Sequence, residues 1–216
     1  TDPARKGPFL DFCQDFDSRA SVCGLGKDNL LAVGKRPASG RRLPVLHTQR
    51  LVLRPFEARD AQAAGWNSRS PQKAHWLSDM VLKDVEHAAG WIRWINGRMR
   101  TESGLCLLAI VPRGTDRPVG FVAYAPKEEL GGETEIVYGI ADPWAGMGYA
   151  TEAARALLDH GFSEDGLLGI AGIVKPENAA SGRVLEKLGF TYLEDRTVDY
   201  EGVPTLFRYH RLVRGM

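Results

Sequence analysis

The segment ADPWAGMGYATEA, residues 141–153, carries the strongest structural signal in the sequence. Gly146 and Gly148 lie two positions apart, after a strand-like segment that ends at Pro143 and before an alanine-rich segment with helical spacing. Glycine permits a tight turn and leaves the backbone accessible to a ligand. The first N–H groups of a helix have no partner inside the helix, and the positive end of the helix dipole lies behind them. The stretch therefore predicts a strand–turn–helix unit whose turn binds a phosphate group.

Two other interpretations of this turn compete with a phosphate site. A strand-to-helix turn that contains two glycines and binds nothing has the same local sequence, and the residues alone leave it open. A dinucleotide-binding turn follows the pattern G-x-G-x-x-G, but the position of its third glycine is Thr151. The acidic residue expected about 20 positions later, at the end of a second parallel strand, is also missing. The pattern therefore disfavours a dinucleotide fold.

Segments upstream of the turn alternate between strand and helix patterns. Residues 50–56 are predicted to form a strand, Asp60 begins a helix, and residues 83–100 form a second helix with apolar residues at steps of three and four. Three apolar segments, separated by turn residues, are then predicted to be antiparallel neighbours: 104–112, 117–126 and 133–143.

Segments downstream of the turn complete the pattern. A helix with its apolar residues on one stripe is predicted over 148–162, a buried strand over 167–176, a second helix over 177–190, and two closing strands over 191–200 and 203–213. This order of elements predicts an α/β (α+β) fold with a mixed, mostly antiparallel central sheet flanked by helices.

Composition bounds the domain organisation and disfavours several functions. The chain has 216 residues, 44% of them hydrophobic, which suffices for one sizeable core. We expect a weakly ordered arm over residues 1–45, rich in Gly, Pro, Ser and charge, and one domain over 46–216. A net charge of +1 gives no support to direct nucleic-acid binding. No apolar run approaches the roughly 20 residues that span a membrane.

Cysteine and histidine usage predicts a reducing compartment and no metal site. The three cysteines are odd in number and widely spaced, which argues against a disulfide framework or a zinc site: Cys13, Cys23 and Cys106. The five histidines are scattered, without metal-ligand spacing. We therefore expect a cytoplasmic protein that uses no metal.

Three motifs, in order along the chain, resemble the ribosomal-protein-alanine N-acetyltransferase (Rim-type) branch of the GNAT superfamily. They are TQRLVLRP at 48–55, GMGYATEA at 146–153 and PENAASGRVLEKLGF at 176–190. The central one corresponds to motif A of the superfamily, Q/R-x-x-G-x-G/A, in which Ala145 replaces Gln or Arg. The resemblance implies the GNAT fold and an enzyme that moves an acetyl group from acetyl-CoA to an amine.

The resemblance also implies how acetyl-CoA is bound. Its pyrophosphate would be held by the backbone of the turn, at Ala145, Gly146, Met147, Gly148, Tyr149 and Ala150. Asn178 would contact the cofactor from the start of the last helix, a role compatible with that of a helix N-cap. The strand segment EIVYGIA, 135–141, would splay from GIAGIV, 169–174, and the pantetheine arm would hydrogen-bond along its exposed edge. A backbone N–H near Ile140 would stabilise the developing oxyanion.

Glu135 is the candidate base that takes the proton of the acceptor amine. Strand alternation places it on one face with Val137 and Gly139, and the resembling branch commonly has a glutamate at this strand position. An exposed carboxylate at the strand end is the alternative interpretation. Glu133, next to the preceding turn, is expected to be solvated.

Ser181 is the candidate proton donor to the leaving thiolate. Many GNAT enzymes carry a tyrosine seven residues after the asparagine of the last helix, but that position is Leu185 here. Ser181 lies one turn after Asn178 on the same helix face and offers a hydroxyl in its place. A first-turn hydroxyl with no catalytic role is the alternative.

The predicted activity is direct attack of a primary amine on acetyl-CoA in a ternary complex. The acceptor would be a protein N-terminal α-amine or a small-molecule amine, and the chain would act as a monomer or homodimer. A non-catalytic acyl-CoA-binding sensor or partner-binding module on the same fold is the alternative function, for which the missing tyrosine and Ala145 leave room.

Overall fold

The structure is a computed structural model that describes residues 42–64, 82, 84–200 and 202–215. Most of the arm predicted over residues 1–45 therefore lies outside the described residues, and that prediction stays untested. Residues 42–45, the described end of the arm, have no regular secondary structure and lead directly into the first strand.

Eight strands form one sheet within the described residues. They are β1 (Leu46–His47), β2 (Leu51–Arg54), β3 (Cys106–Pro112), β4 (Gly120–Lys127), β5 (Glu133–Ile140), β6 (Gly169–Val174), β7 (Thr191–Tyr200) and β8 (Val203–Val213). Their order across the sheet is β1-β2-β3-β4-β5-β6-β8-β7. Neighbouring strands are antiparallel except β5 and β6, which are parallel. The predicted mixed, mostly antiparallel sheet is confirmed.

The described helices flank this sheet, and local capping residues set their ends. They are α1 (Ala61–Ala64), α2 (Val85–Thr101), α3 (Tyr149–Ser163) and α4 (Ala179–Leu188). The N-cap of α2 is Asp84, whose carboxylate accepts a hydrogen bond from the His87 amide at 2.8 Å. Gly189 ends α4 with a φ of 87°, in the left-handed region that glycine adopts most easily. Asp60 lies in a 3-10 turn immediately before α1, at the predicted helix start.

The helices cover both faces of the sheet and bury two separate apolar clusters. On one face, Trp91 of α2 packs in a cluster with Leu107 of β3. On the other face, Leu157 of α3 and Leu185 of α4 share a cluster with Leu108 of β3. Each such buried side chain contributes about 1.5–3 kcal/mol. The side chains of a strand alternate between the two faces of a sheet, and both faces are covered here. Strand β3 is therefore buried along its whole length and lies at the centre of the core.

Strands β5 and β6 separate beyond a single paired position. Glu135 of β5 pairs with Ala171 of β6, and the two strands diverge from there towards their carboxyl ends. The connection between them contains α3, because parallel neighbours require a crossover. We call the gap beyond this pair the splay. It has the form predicted for these strands.

Candidate active site

The turn between β5 and α3 has the geometry that its glycines predict. Gly146 and Gly148 have φ angles of 79° and 80°, which side chains rarely adopt. Gly148 is the N-cap of α3, and the first bond of that helix runs from the Glu152 N–H to the Gly148 carbonyl at 3.1 Å. The amides of residues 149–151 therefore have no acceptor inside the helix and can donate to a ligand.

A cleft of about 740 Å³ passes through the splay. The turn and the start of α4 both border it, because each follows the carboxyl end of one of two adjacent parallel strands. The cleft is lined by every predicted site residue except Met147: Glu135, Ile140, Ala145, Gly146, Gly148, Tyr149, Ala150, Asn178 and Ser181. The Met147 side chain is exposed, and its carbonyl accepts a hydrogen bond from Arg50.

Glu135 lies where the splay begins. Its residue is only 7% exposed, although it lines the cleft, and its Oε2 is 3.6 Å from Nζ of Lys127. The Lys127 ammonium stabilises the charge of a carboxylate that burial would otherwise disfavour. Val137, the next residue on the same face, packs against the α2 cluster. The alternative of an exposed strand-end carboxylate is therefore wrong, since Glu135 is buried and paired.

Glu133, two residues before Glu135 on β5, is partly exposed but also paired, whereas the sequence suggested a solvated carboxylate. Its side chain is 30% exposed, and Oε2 accepts a hydrogen bond from the hydroxyl of Tyr209 at 2.8 Å. Guanidinium nitrogens of Arg196 and Arg211 lie 3.7 Å from its carboxylate oxygens. These partners come from β7 and β8, which sequence spacing alone does not bring to this position. Glu133 does not line the cleft.

Tyr138 is a cleft residue that the sequence analysis missed. Its hydroxyl donates to the carbonyl of Ser181 at 3.1 Å and shares a second hydrogen bond with Ser181 Oγ at 3.0 Å. Burial raises the pKa of the Tyr138 phenol well above its ordinary value near 10, so the phenol is neutral at physiological pH. Strand alternation puts Tyr138 on the opposite face from Glu135, against the α3–α4 cluster. Both faces reach the cleft because the splay opens the sheet.

Asn178 caps α4, in agreement with the second role considered for it. Its Oδ1 accepts a hydrogen bond from the Ser181 amide at 3.2 Å, so this cap fixes the helix turn that presents the Ser181 hydroxyl. Leu185, at the position of the missing tyrosine, is 2% exposed and packs against Gly172 of β6. A Cβ at residue 172 would lie 2.8 Å from Leu185 Cδ2, so glycine at this position lets the Leu185 side chain pack closely on β6.

The backbone of Ile140 faces the splay. In the register that pairs Ile140 with Gly120, the next amide, that of Ala141, donates to the Val119 carbonyl of the neighbouring chain segment at 2.7 Å. Along an antiparallel strand, the backbone N–H groups of successive residues point alternately towards the neighbouring strand and away from it. The Ile140 N–H therefore points away from β4, towards the side on which β6 diverges.

The residues around the turn fit a diphosphate. A Cβ built on Gly146 meets no atom within 4 Å, so the space that a side chain would fill beside the cleft is open to a ligand. Backbone N–H groups at a helix start favour negative charge there. Within the described ranges, no three His, Cys, Asp or Glu residues form a group that could hold a metal ion. None of the described helices is long and apolar enough to cross a membrane.

Comparisons with known proteins agree with this geometry. The family model for the acetyltransferase (GNAT) domain matches residues 50–191. An N-acetyltransferase of Bacillus licheniformis named p20, itself uncharacterized, is 30% identical over 159 residues, which cover 74% of this chain and 88% of that protein.

Solved structures share the fold at lower identity. A GNAT-family acetyltransferase from Bacillus anthracis has a TM-score of 0.65 at 23% identity, covering 79% of this chain and 98% of its own. A ribosomal L7/L12 alpha-N-protein acetyltransferase, solved in complex with coenzyme A, has a TM-score of 0.62 at 14% identity. The match covers 79% of this chain and 98% of that protein. With the family match over most of its described domain, this chain belongs to the GNAT family of acetyltransferases.

Proposed function

We propose that this acetyltransferase moves an acetyl group from acetyl-CoA to a primary amine by direct attack in a ternary complex. The acceptor is a protein N-terminal α-amine or a small-molecule amine. One observation carries the proposal: a single cleft joins the glycine turn, at one end of the splay, to the buried carboxylate of Glu135 at the other. A phosphate-binding element and a base therefore border the same opening.

The donor fits this cleft in charge and in hydrogen bonding. The turn amides are assigned to the diphosphate, and Asn178 borders the cleft from the start of α4. The free edge of β5 offers backbone groups to the amides of the pantetheine arm, in the manner of an added strand. When bound, acetyl-CoA supplies an acetyl thioester whose thiolate leaves readily, because a thiol has a pKa of about 8.5.

Glu135 is assigned as the base because the attacking amine must be neutral. Neutralising a lysine-like amine, with a pKa of about 10.4, costs about 4–5 kcal/mol at pH 7, whereas an α-amine, with a pKa of about 7.8, costs about 1 kcal/mol. A carboxylate paired with Lys127 is a modest base. It therefore suits the second kind of amine better, acting directly or through one water molecule.

The remaining proton is assigned to the start of α4, and the developing negative charge to the end of β5. The reaction forms a C–N bond and breaks a C–S bond, so one proton leaves the amine and one reaches the sulfur. Ser181 is the assigned donor: when the Tyr138 hydroxyl donates to Ser181 Oγ in their shared hydrogen bond, the serine proton is available to the sulfur. The Ile140 N–H is assigned to the carbonyl oxygen on which negative charge develops.

The Tyr138–Ser181 pair leads to a testable expectation. Tyr138→Phe is expected to lower kcat by about tenfold, less than the usual contribution of an acid–base group of about 10²–10⁴-fold, because a thiolate needs little assistance. Ser181→Ala should give a similar loss, and the double variant should lose little more, since residues that act as one unit are not additive. Steady-state kinetics with saturating acetyl-CoA measure this. Fully additive losses would show that the two hydroxyls act separately.

Release of free thiol from acetyl-CoA, measured across a panel of amines, tests the proposed activity. The panel contains peptides with free N-termini, the same peptides with blocked N-termini, and small alkyl amines. Release that depends on the acceptor, with acetylated product seen by mass spectrometry, supports the enzyme. Binding of acetyl-CoA without release for any acceptor would favour the non-catalytic sensor instead.

A further inference from the structure

Thr48, Arg50 and Glu152 form a compact polar cluster on the outer side of the glycine turn, and we call it the clamp. Oε1 of Glu152 accepts from the Thr48 hydroxyl at 2.6 Å and from the Arg50 amide at 2.9 Å. Oε2 accepts from Nε of Arg50 at 2.6 Å and lies 2.6 Å from Nη2. The clamp thus ties the segment before β2 to the first turn of α3, across 102 positions of the chain.

The clamp carboxylate is charged and well held. The Glu152 side chain is 18% exposed, against 46% for Arg50. Partial burial acts to raise the pKa of Glu152, but hydrogen bonds from Thr48 and Arg50, together with the Arg50 charge, lower it below its ordinary value. An isolated exposed ion pair contributes only about 0–1 kcal/mol to stability. The value of four contacts to one carboxylate is therefore chiefly geometric, because they fix the plane of the guanidinium.

The guanidinium also touches the turn itself. Nη1 of Arg50 donates to the Met147 carbonyl at 2.9 Å, and the guanidinium carbon lies 4.9 Å from the centre of the Tyr149 ring. A Cβ built on Gly148 would be 3.4 Å from Nη2, so the arginine lies directly against the turn backbone. Arg50 does not line the cleft, whereas Gly148 does. The side chain therefore holds the turn from behind.

The contact to the Met147 carbonyl determines where the next amide points. In a planar trans peptide, the C=O of one residue and the N–H of the following residue point in opposite directions. Because the Met147 carbonyl is directed at Arg50, outside the cleft, the Gly148 N–H is directed the other way. Gly148, whose φ is one of the two torsions that set the orientation of this peptide, gives it a wider choice of orientations than another residue would, unless something holds it. The turn side chains, Ala145 and Met147, carry no charge that could bind phosphate directly.

We infer that Arg50 is a positioning residue for the diphosphate: held by Thr48 and Glu152, it fixes the Met147–Gly148 peptide so that the Gly148 N–H faces the cleft. This inference rests on the proposed function, since it assumes that acetyl-CoA binds at the turn. It also gives a reason why two of the sequence motifs, TQRLVLRP and GMGYATEA, are in contact: their side chains meet in the clamp.

Donors with and without a diphosphate separate a positioning role from general support of the fold. The wild type and Arg50→Ala are compared with acetyl-CoA and with S-acetylpantetheine, and the Kd of coenzyme A is measured by calorimetry. We expect Arg50→Ala to raise the KM for acetyl-CoA and the Kd of coenzyme A about tenfold, the equivalent of one charge-assisted hydrogen bond. The kcat at saturation and the kcat/KM with S-acetylpantetheine should change less than about twofold.

Two further variants sharpen this experiment. Arg50→Lys keeps a point charge without the planar fork, so it should recover part of the affinity and not all of it. Arg113 is the matched control, because it donates to the Thr48 carbonyl at 3.0 and 2.8 Å and has no hydrogen bond to the turn. Arg113→Ala should leave the KM for acetyl-CoA within about twofold of the wild type.

Specific outcomes would overturn the inference. An unchanged Kd in Arg50→Ala, or an equal loss with S-acetylpantetheine, would show that Arg50 does not act on the diphosphate. If the folded wild type does not bind coenzyme A at all, the proposed function itself is wrong. A loss of the role of Arg50 alone is recognised by wild-type binding that Arg50→Ala leaves unchanged.

Discussion

Replacing Gly146 by aspartate is expected to weaken acetyl-CoA binding by about a hundredfold or more. The new carboxylate would project into the open space beside the cleft, where a built Cβ meets no protein atom within 4 Å. Two like unit charges about 5 Å apart repel by about 3 kcal/mol at an effective dielectric constant of about 20, which corresponds to more than a hundredfold in affinity. Calorimetric titration of the variant with acetyl-CoA measures the loss.

Gly146→Asn provides the matched control for this charge effect. Asparagine has nearly the size of aspartate and accepts the φ of 79° at this position equally well, but it carries no charge. We expect it to lose only a few-fold in affinity, through steric hindrance and backbone strain. Equal losses for both variants would show that the turn does not hold a negatively charged group.

Glu135→Gln is expected to lower kcat by about 10²–10³ at neutral pH, within the usual contribution of a general base, while the Kd of acetyl-CoA stays within about twofold. The amide keeps the shape of the side chain but cannot take a proton. The rate of the variant should recover as the pH rises towards about 8, because more of an α-amine acceptor is then neutral without help. Steady-state rates over a pH series measure both effects.

Glu133→Gln is the control on the same strand. Glu133 is the nearest other carboxylate of β5, it is bound to Tyr209, Arg196 and Arg211, and it does not line the cleft. We expect it to affect thermal stability more than turnover. If Glu135→Gln turns over as fast as the wild type, Glu135 has no part in catalysis.

The elements of the fold could be predicted because their signals are local. Glycines at 146 and 148 and the caps of α2 and α4 act within a few residues, so the sequence shows where each element begins or ends. The mixed sheet followed from the order of strands and helices, since only a crossover helix allows the parallel pair of β5 and β6.

Parts of the candidate site depend on contacts that sequence spacing does not contain. Strand alternation separates Tyr138 from Glu135, and only the divergence of β6 from β5 lets both reach one cleft. The pairing of Glu133 with Arg196 and Arg211 requires β7 and β8 to join the sheet next to β6, one strand beyond β5. The clamp joins Arg50 to Glu152 from opposite parts of the chain. In each case the tertiary arrangement decides, and a linear pattern cannot supply it.

Titration of acetyl-CoA into the folded wild-type chain, followed by calorimetry at two temperatures, shows whether the glycine turn binds the diphosphate of the donor. We expect saturable binding of one donor per chain, with an affinity that weakens as salt is added, because a charged diphosphate meets backbone N–H groups at the start of α3. Two temperatures are used because a binding enthalpy can pass through zero at one of them. No heat at either temperature, with protein shown to be folded, would contradict the assignment of the glycine turn to a phosphate ligand.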